Sequence, residues 1–255
     1  MSAFHLLRRS VTTALLAAAL ASCSALKAPP VAVSPFLGHA SEMKPDDKHT
    51  PFQKTWTSPD AEAVLQQRRT VYIAPVSLAY LRPMSRGMAA SSFTPEERQT
   101  AATKLVEYAN AKLADAFDHS PKPRYKLVSR PDRNSITLEL ALVEFNPNPA
   151  TGGALRTVIN AAAAPGVDSL LLKRLKANIA IEGKVADGAT RKPLMEFADN
   201  QENKSALLFS VNDFKSYGQA KQAIDEWVRE IEEVLRTPAS TKVKGGAAFV
   251  ILPWH

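Results

Sequence analysis

Apolar and polar residues alternate over several short stretches, which is the pattern of β-strands with one buried face. The strongest example is "SITLELALVEF" (135–145). One of its faces consists of Ile136, Leu138, Leu140 and Leu142. The other face consists of Thr137, Glu139, Ala141 and Val143. We expect the first face to pack against helices and the second to be partly wet.

The same alternation predicts a β-hairpin further along the chain. "NIAIEGKVAD" (178–187) and "PLMEFAD" (193–199) flank the turn sequence "GATRK". The remaining predicted strands are 70–78, 124–130 and 247–252. Pro75 interrupts the first of these and indicates a sheet edge or a bulge there.

Two longer stretches carry apolar residues at helical spacing. Thr94, Pro95 and Glu97 form a capping box with proline at the first helical position, so a helix is expected to start there and to end before "SPKP" (120–123). A second helix is predicted over 213–236, with an apolar stripe that includes Trp227. Together these elements predict an α+β fold, with a single mostly antiparallel sheet of five to six strands and two long helices packed on one face.

The segment 146–176 interrupts this order as an insert rich in small and apolar residues. It fits either a covering for the sheet or an element that faces a partner or a membrane. Its apolar runs lack the alternation over about ten residues that a membrane β-barrel strand needs.

The N-terminus has the three parts of an export signal. Arg8 and Arg9 are followed by an apolar run from Val11 to Ala21, which is too short for a stable membrane-spanning helix. The sequence Leu20-Ala21-Ser22-Cys23 then resembles the lipobox of bacterial lipoproteins. That resemblance implies cleavage between Ser22 and Cys23 and a covalent lipid on Cys23, which is the only cysteine of the chain. The alternatives are an ordinary secretory signal that leaves Cys23 as a free thiol, and twin-arginine export.

Ser24 follows the cysteine at the position that sorts lipoproteins in enteric-type bacteria. Because aspartate there retains a lipoprotein at the inner membrane, Ser24 implies the outer membrane of a Gram-negative bacterium, with the protein facing the periplasm. The chain is thus divided into a lipoprotein signal peptide (1–22), a lipidated N-terminus with a proline-rich tether (23–54) and an α+β periplasmic domain (55–255).

Several motifs of this domain resemble the bacterial lipoproteins grouped as domain of unknown function 3313 (DUF3313). They are "TWTSPDAEAV…VYIAPV", "LALVEFNPNP", the hairpin from Ile181 to Thr190 with its continuation "EFADNQ", and "AIDEWVREI". The glycine that usually follows the hairpin threonine is replaced here by Arg191. The resemblance covers roughly residues 55–236, and it implies neither an established activity nor catalytic residues. More distantly, the element order is similar to the periplasmic domains of curli-secretion channel proteins and of lipoprotein activators of penicillin-binding proteins.

The candidate chemistry is sparse. The five histidines stand in no nucleophile motif, and the chain has no metalloprotease, phosphate-loop or cysteine metal motif, so we expect no metal site and no cofactor beyond the lipid. Glu182, Asp187 and Asp199 are the carboxylates available for acid–base work. The structural alternative is that Asp187 makes a turn with Gly188 and that Asp199 ends a strand.

Charge adds little to this picture. The chain carries +7, of which Arg8 and Arg9 contribute two, and the short clusters at 122–126 and 172–176 are interpreted as solvated faces. A nucleic-acid site is therefore not expected. We predict a non-catalytic binding or scaffolding lipoprotein whose partner is an envelope protein or peptidoglycan. The alternatives are a secretion or channel subunit related to curli-type lipoproteins, and an envelope hydrolase that uses Glu182, Asp187 and Asp199.

Overall fold

A computed structural model of the 255-residue chain describes residues 32–83, 94–146, 178–202 and 217–245. Cys23 and its neighbours Ser22 and Ser24 lie outside these residues. The insert from residue 147 onward, the predicted strand 247–252 and the predicted start of the last helix at 213–216 lie outside them as well.

One six-stranded mixed sheet organises the domain, and the strand order across it is β1-β6-β5-β4-β2-β3. Strand β2 runs parallel to both β3 and β4, whereas the other three pairings are antiparallel. In chain order the elements are β1 (Lys54–Thr57), α1 (Ala61–Gln67), β2 (Thr70–Ile73), α2 (Pro95–Asp118), β3 (Lys126–Val128), β4 (Ser135–Asn146), β5 (Asn178–Asp187), β6 (Pro193–Glu202) and α3 (Gly218–Arg236). The predicted α+β fold is confirmed.

The two long helices α2 and α3 pack against each other and against one face of the sheet, which we call the helix face. On β4 this face carries the predicted apolar row from Ile136 to Leu142, and Leu105 of α2 and Trp227 of α3 are buried with it. The capping box of α2 is complete, because Thr94 accepts from the backbone N–H of Glu97 and the Glu97 carboxylate accepts from that of Thr94. Periodicity and capping therefore located α2 correctly.

Several boundaries differ from the predictions. Strand β1 and the short helix α1 were not predicted, since each is too short for its period to stand out. Strand β2 ends at Ile73, before Pro75, and lies between β4 and β3. Of the two alternatives for Pro75, the register supports the bulge, because the four steps from Ile73 to Ser77 are paired with only three from Leu138 to Ala141. Strand β6 continues to Glu202, so that Asp199 lies inside the strand, and the prediction that Asp199 ends it is wrong.

The opposite face of the sheet, which we call the outer face, is not open to solvent over its middle. Ala141, Val143 and Ala180 are buried there beneath Phe36. The expectation of a partly wet face is therefore wrong for Ala141 and Val143, because a segment that precedes the sheet in sequence covers them. The proline-rich tether is corrected at the same point: residues 32–54 pack on the domain rather than extend from it.

Candidate functional site

Residues 32–39, which precede the sheet in sequence, are fixed to the outer face by two buried glutamates. Glu182 of β5 and Glu196 of β6 are each 1% exposed, and both side chains point away from the helices. We call residues 32–39, together with these two carboxylates, the N-terminal clamp. The sequence "AVSPFLGH" has no regular period, so the carboxylates rather than secondary structure hold it in place.

Glu182 binds the first half of the clamp. The backbone N–H of Ser34 donates to Oε1 at 2.6 Å, and the Ser34 hydroxyl donates to Oε2. The same hydroxyl accepts from the backbone N–H of Phe36 at 3.2 Å. A carboxylate this deeply buried needs hydrogen-bond donors, because leaving it unpaired costs several kcal/mol, roughly 3 or more. Ser34 supplies those donors.

Glu196 binds the second half. Its oxygens accept from the backbone N–H groups of Gly38 at 3.2 Å and His39 at 2.9 Å. The His39 ring nitrogen Nδ1 also lies 3.2 Å from Oε1, although its geometry does not make a hydrogen bond. The His39 ring stacks on Trp56 of β1, with 3.5 Å between the ring centroids and 4° between their planes.

A cation and two rings hold the middle of the clamp. The ammonium of Lys184 lies 4.8 Å from the centroid of the Phe36 ring and pairs with Glu139 at 3.0 Å. The Phe36 ring centroid in turn lies 5.3 Å from that of Tyr80. Cation–π attraction and the burial of apolar surface therefore both hold Phe36 over Ala141 and Val143. The clamp buries its own apolar and polar groups as a small satellite core.

The three carboxylates considered for acid–base chemistry do not come together. Glu182 faces the outer side, whereas Asp199 pairs with Ile181 on the helix face. Asp187 lies six residues along β5 from Ile181, which is about 20 Å in an extended strand. None of the three forms the close pair that an acid–base mechanism needs.

Asp187 instead closes the β5–β6 turn, as the structural interpretation of the sequence stated. Its carboxylate accepts from Arg68 Nε at 2.6 Å and from the Thr190 hydroxyl at 2.8 Å, and the backbone N–H groups of Ala189 and Thr190 add two longer bonds. Burial raises the pKa of Asp187, but the hydrogen bonds from Arg68, Thr190 and Ala189 outweigh it and hold the pKa below its usual range. The same bond raises the pKa of Arg68.

Asp199 ties the last helix to the sheet. Its carboxylate accepts from the indole N–H of Trp227 at 2.7 Å and from the backbone N–H of Gln53 at 3.1 Å. Trp227 is 1% exposed, so its N–H needs this partner. The central tryptophan of "AIDEWVREI" and the aspartate of "EFADNQ" therefore belong to one structural contact.

Close packing accounts for the glycine of "IEG". A Cβ atom added to Gly183 would lie 2.0 Å from Cζ of Phe197, whose ring covers the glycine on the neighbouring strand. The motif residues of the hairpin therefore have structural roles. Glu182 and Glu196 hold the clamp, Asp187 holds the turn, and Gly183 packs against the Phe197 ring.

The described residues offer few places for a ligand. A cavity of about 30 Å³ between the helices and the sheet is lined only by apolar side chains, among them Leu105 and Trp227. The described residues contain no group of three His, Cys, Asp or Glu side chains placed to hold a metal ion. No helix among them is both long and apolar enough to span a bilayer.

Sequence reasoning missed Ser34, His39 and Glu196 as interacting residues. The signal was present in the hairpin, where Glu182 and Glu196 stand within otherwise apolar strands in "AIEGKV" and "LMEFA". A glutamate inside such a strand indicates either a wet face or a covering segment that supplies donors. The sequence alone does not show which segment that is.

Comparison with known proteins gives one family and several solved structures. A family model described as "Protein of unknown function (DUF3313)" matches residues 32–231, a range that begins at the first residue of the clamp. No curated protein matches the chain.

The chain is similar to the PelC dodecamer from Paraburkholderia phytofirmans at 9% identity, covering 71% of this chain and 94% of that one with a TM-score of 0.36. It is also similar to protein XCC0632 from Xanthomonas campestris at 14% identity, with coverage of 75% and 92% and a TM-score of 0.38. A third similar structure is the hypothetical protein CT253 from Chlamydia trachomatis, at 8% identity, coverage of 66% and 98% and a TM-score of 0.36.

Proposed function

We propose that this chain, which belongs to the DUF3313 family, is a lipoprotein anchored in the outer membrane. Its periplasmic domain would bind or scaffold an envelope component without catalysis. The lipid on Cys23 would supply the anchor and Ser24 the sorting position. The domain would supply a rigid body held close to the membrane.

The clamp is the observation that carries this proposal. Since residue 32 already lies on the domain, only the residues from Cys23 to Ala32 separate a lipid on Cys23 from the folded body. Nine residues span at most about 30 Å when fully extended. A lipid at Cys23 would therefore hold the domain near the bilayer. Such a position suits a protein that binds or scaffolds an envelope component.

The motif residues support the non-catalytic part of the proposal. Glu182, Asp187 and Asp199 each hold structural donors, and Asp187 and Asp199 also lie far apart along the sheet. The ionised Asp187 beside Arg68 is suited to holding a turn rather than to donating a proton.

Metabolic labelling tests the anchor. Cells given a labelled palmitate are expected to incorporate it into the wild-type protein and not into Cys23→Ser, and the variant should leave the membrane fraction. In the same assay, Ser24→Asp is expected to move the protein from the outer to the inner membrane. Unlabelled wild-type protein, or a Cys23→Ser variant that stays with the membrane, would contradict the proposal.

Crosslinking in intact cells tests the binding role. A defined envelope partner is expected in wild-type cells, captured by the purified protein without turnover. Turnover of an envelope substrate that disappears in Asp199→Asn, while the melting temperature is unchanged, would instead establish a hydrolase. A detergent-solubilised protein that runs as a ring-sized oligomer would favour the channel-subunit alternative.

A further inference from the structure

One end of the sheet gathers exposed positive charge from four separate stretches of the chain. The exposed side chains are Arg69, Lys126, Arg133, Arg191 and Lys192, and we call these five residues the basic end. In sequence they are up to 123 positions apart, and no single basic run contains them all.

Backbone hydrogen bonds place these residues side by side. The N–H of Lys126 donates to the carbonyl of Arg69 at 2.9 Å, and the N–H of Arg69 donates to the carbonyl of Asn134, next to Arg133, at 3.1 Å. The turn at Ser135 is joined to the β5–β6 turn by the N–H of Gly188, also at 2.9 Å. The five strand ends from β6 to β3 are neighbours, so the row is about 19 Å wide at roughly 4.8 Å per strand.

Among the described residues, no ion pair joins any of the five side chains to a carboxylate. The guanidinium of Arg69 donates only to the backbone carbonyls of Gln66 and Arg68. Two carboxylates lie nearby. Asp187 forms an ion pair with Arg68, and Asp132 accepts a hydrogen bond from the backbone N–H of Asn134.

The rest of the described domain has the opposite balance. All the described ranges together contain 22 lysines and arginines and 23 aspartates and glutamates. Residues 68–70, 126–135 and 187–192 alone contain seven of these basic residues and only two of the acidic ones. The charge is therefore separated along the molecule, and like charges within a Debye length of about 10 Å repel one another unless an anion binds.

The basic end also lies far from the point where the lipid-bearing segment joins the domain. Arg82 bonds the carbonyl of Ala32 and pairs with Glu144, near the last residue of β4. The basic end surrounds the first residue of β4, Ser135, and nine residues of strand separate Ser135 from Glu144, which is about 31 Å. In the anchored function proposed above, the segment that follows Cys23 therefore joins the domain near the end of β4 that lies opposite the basic end.

We propose that the basic end docks onto peptidoglycan through the free carboxylates of its peptide stems; this rests on the lipid-anchored function proposed above. A row of cations across five strand ends suits an extended polymer with repeated carboxylates. Arg69, Arg133 and Arg191 each present the planar fork that binds carboxylate in two bonds. The phosphates of the anchoring leaflet are the less favoured target because the basic end lies at the end of β4 opposite the Ala32 contact.

Co-sedimentation of the detergent-solubilised full-length lipoprotein with purified peptidoglycan sacculi tests this docking. The variant Arg69→Gln/Lys126→Gln/Arg133→Gln/Lys192→Gln removes four charges, and we expect at least about tenfold weaker sedimentation because each exposed pair contributes up to a few-fold. The matched control Lys44→Gln/Lys48→Gln/Lys104→Gln/Lys242→Gln removes four exposed charges elsewhere and should stay within about twofold of wild type. Binding of the wild type should also weaken as salt is raised.

Three results would overturn the inference: no sedimentation of the wild type with sacculi, equal loss in both quadruple variants, or a loss confined to anionic phospholipid vesicles or duplex DNA run in parallel. Circular dichroism melting of both variants shows whether they remain folded; if the first is unfolded, the single changes Lys126→Gln and Lys192→Gln are compared with Lys104→Gln. Failure here with intact palmitate labelling would leave the anchored function standing. Loss of labelling would instead remove the anchored function.

Discussion

Replacing Ser34 with alanine is expected to loosen the N-terminal clamp. The substitution removes the hydroxyl that donates to Glu182 and accepts from the backbone N–H of Phe36. Glu182 is 1% exposed and keeps only the Ser34 backbone N–H as a donor from the clamp. A hydrogen bond to a charged group contributes about 1.5–3 kcal/mol, so we expect a loss of about 2 kcal/mol.

A double-mutant cycle separates this bond from general damage. Glu182→Gln keeps the shape of the side chain but removes the charge, and by itself should also cost about 2 kcal/mol. If the two groups act on each other, the double variant Ser34→Ala/Glu182→Gln should cost about 1–2 kcal/mol less than the sum of the single variants. Ser41→Ala, an exposed serine of the same segment, is the control and should change stability by less than about 0.5 kcal/mol.

Urea unfolding of the detergent-solubilised mature protein measures the global effect. Amide hydrogen exchange at Ser34, Gly38 and His39 measures the clamp itself, because these N–H groups donate to the two glutamates. Loss of protection at these amides without a change in the unfolding midpoint would show that the clamp opens on its own. The reasoning is refuted if Ser34→Ala leaves both measurements unchanged, or if the cycle shows no coupling.

Three further changes test the β5–β6 hairpin. Arg191 has φ of 60°, in the left-handed region that glycine enters without strain, so Arg191→Gly should raise the free energy of unfolding by about 1 kcal/mol in urea denaturation; a loss would contradict this. Because the pKa of Asp187 is lowered on folding, its contribution is present above its unfolded pKa of about 3.9 and is lost as pH falls through the folded value. Asp187→Asn should therefore cost about 2 kcal/mol at pH 7, and its difference from wild type should shrink in acid; a pH-independent difference would be evidence against the charged pair with Arg68. Gly183→Ala should cost about 1–3 kcal/mol in thermal or urea unfolding because its Cβ meets the Phe197 ring, and should cost less in a Phe197→Leu background; equal costs would reject the contact.

The long, regular elements were predictable from the sequence because their signals are local. The capping box at Thr94, the apolar row of β4 and the hairpin alternation each arise from residues close in the chain. Strand β1 was missed because four residues give too little pattern. The parallel pairing of β2 with β3 and β4 depends on chain crossings that periodicity does not encode.

The candidate site was only half predictable for the same reason. Glu182, Asp187 and Asp199 were recognised as polar groups within a predicted hairpin, but their partners are distant in sequence. Ser34 precedes Glu182 by 148 positions, and Arg68 precedes Asp187 by 119. A carboxylate in a buried strand position indicates that a hydrogen-bond donor is needed. The sequence does not indicate which distant segment supplies that donor.

The sequence by itself determined the class of fold and predicted the cellular location. Cys23 with its preceding Leu20, Ala21 and Ser22 predicts a lipid anchor, and the alternation of strands with two amphipathic helices predicts an α+β sheet. Both conclusions rest on short-range patterns. Tertiary structure decided that residues 32–39 cover the outer face and that Arg69, Arg133 and Lys192 share one end of the sheet. The physical reason is that burial and charge clustering depend on contacts between segments that are distant in sequence. Only the tertiary structure determines which of those segments are in contact.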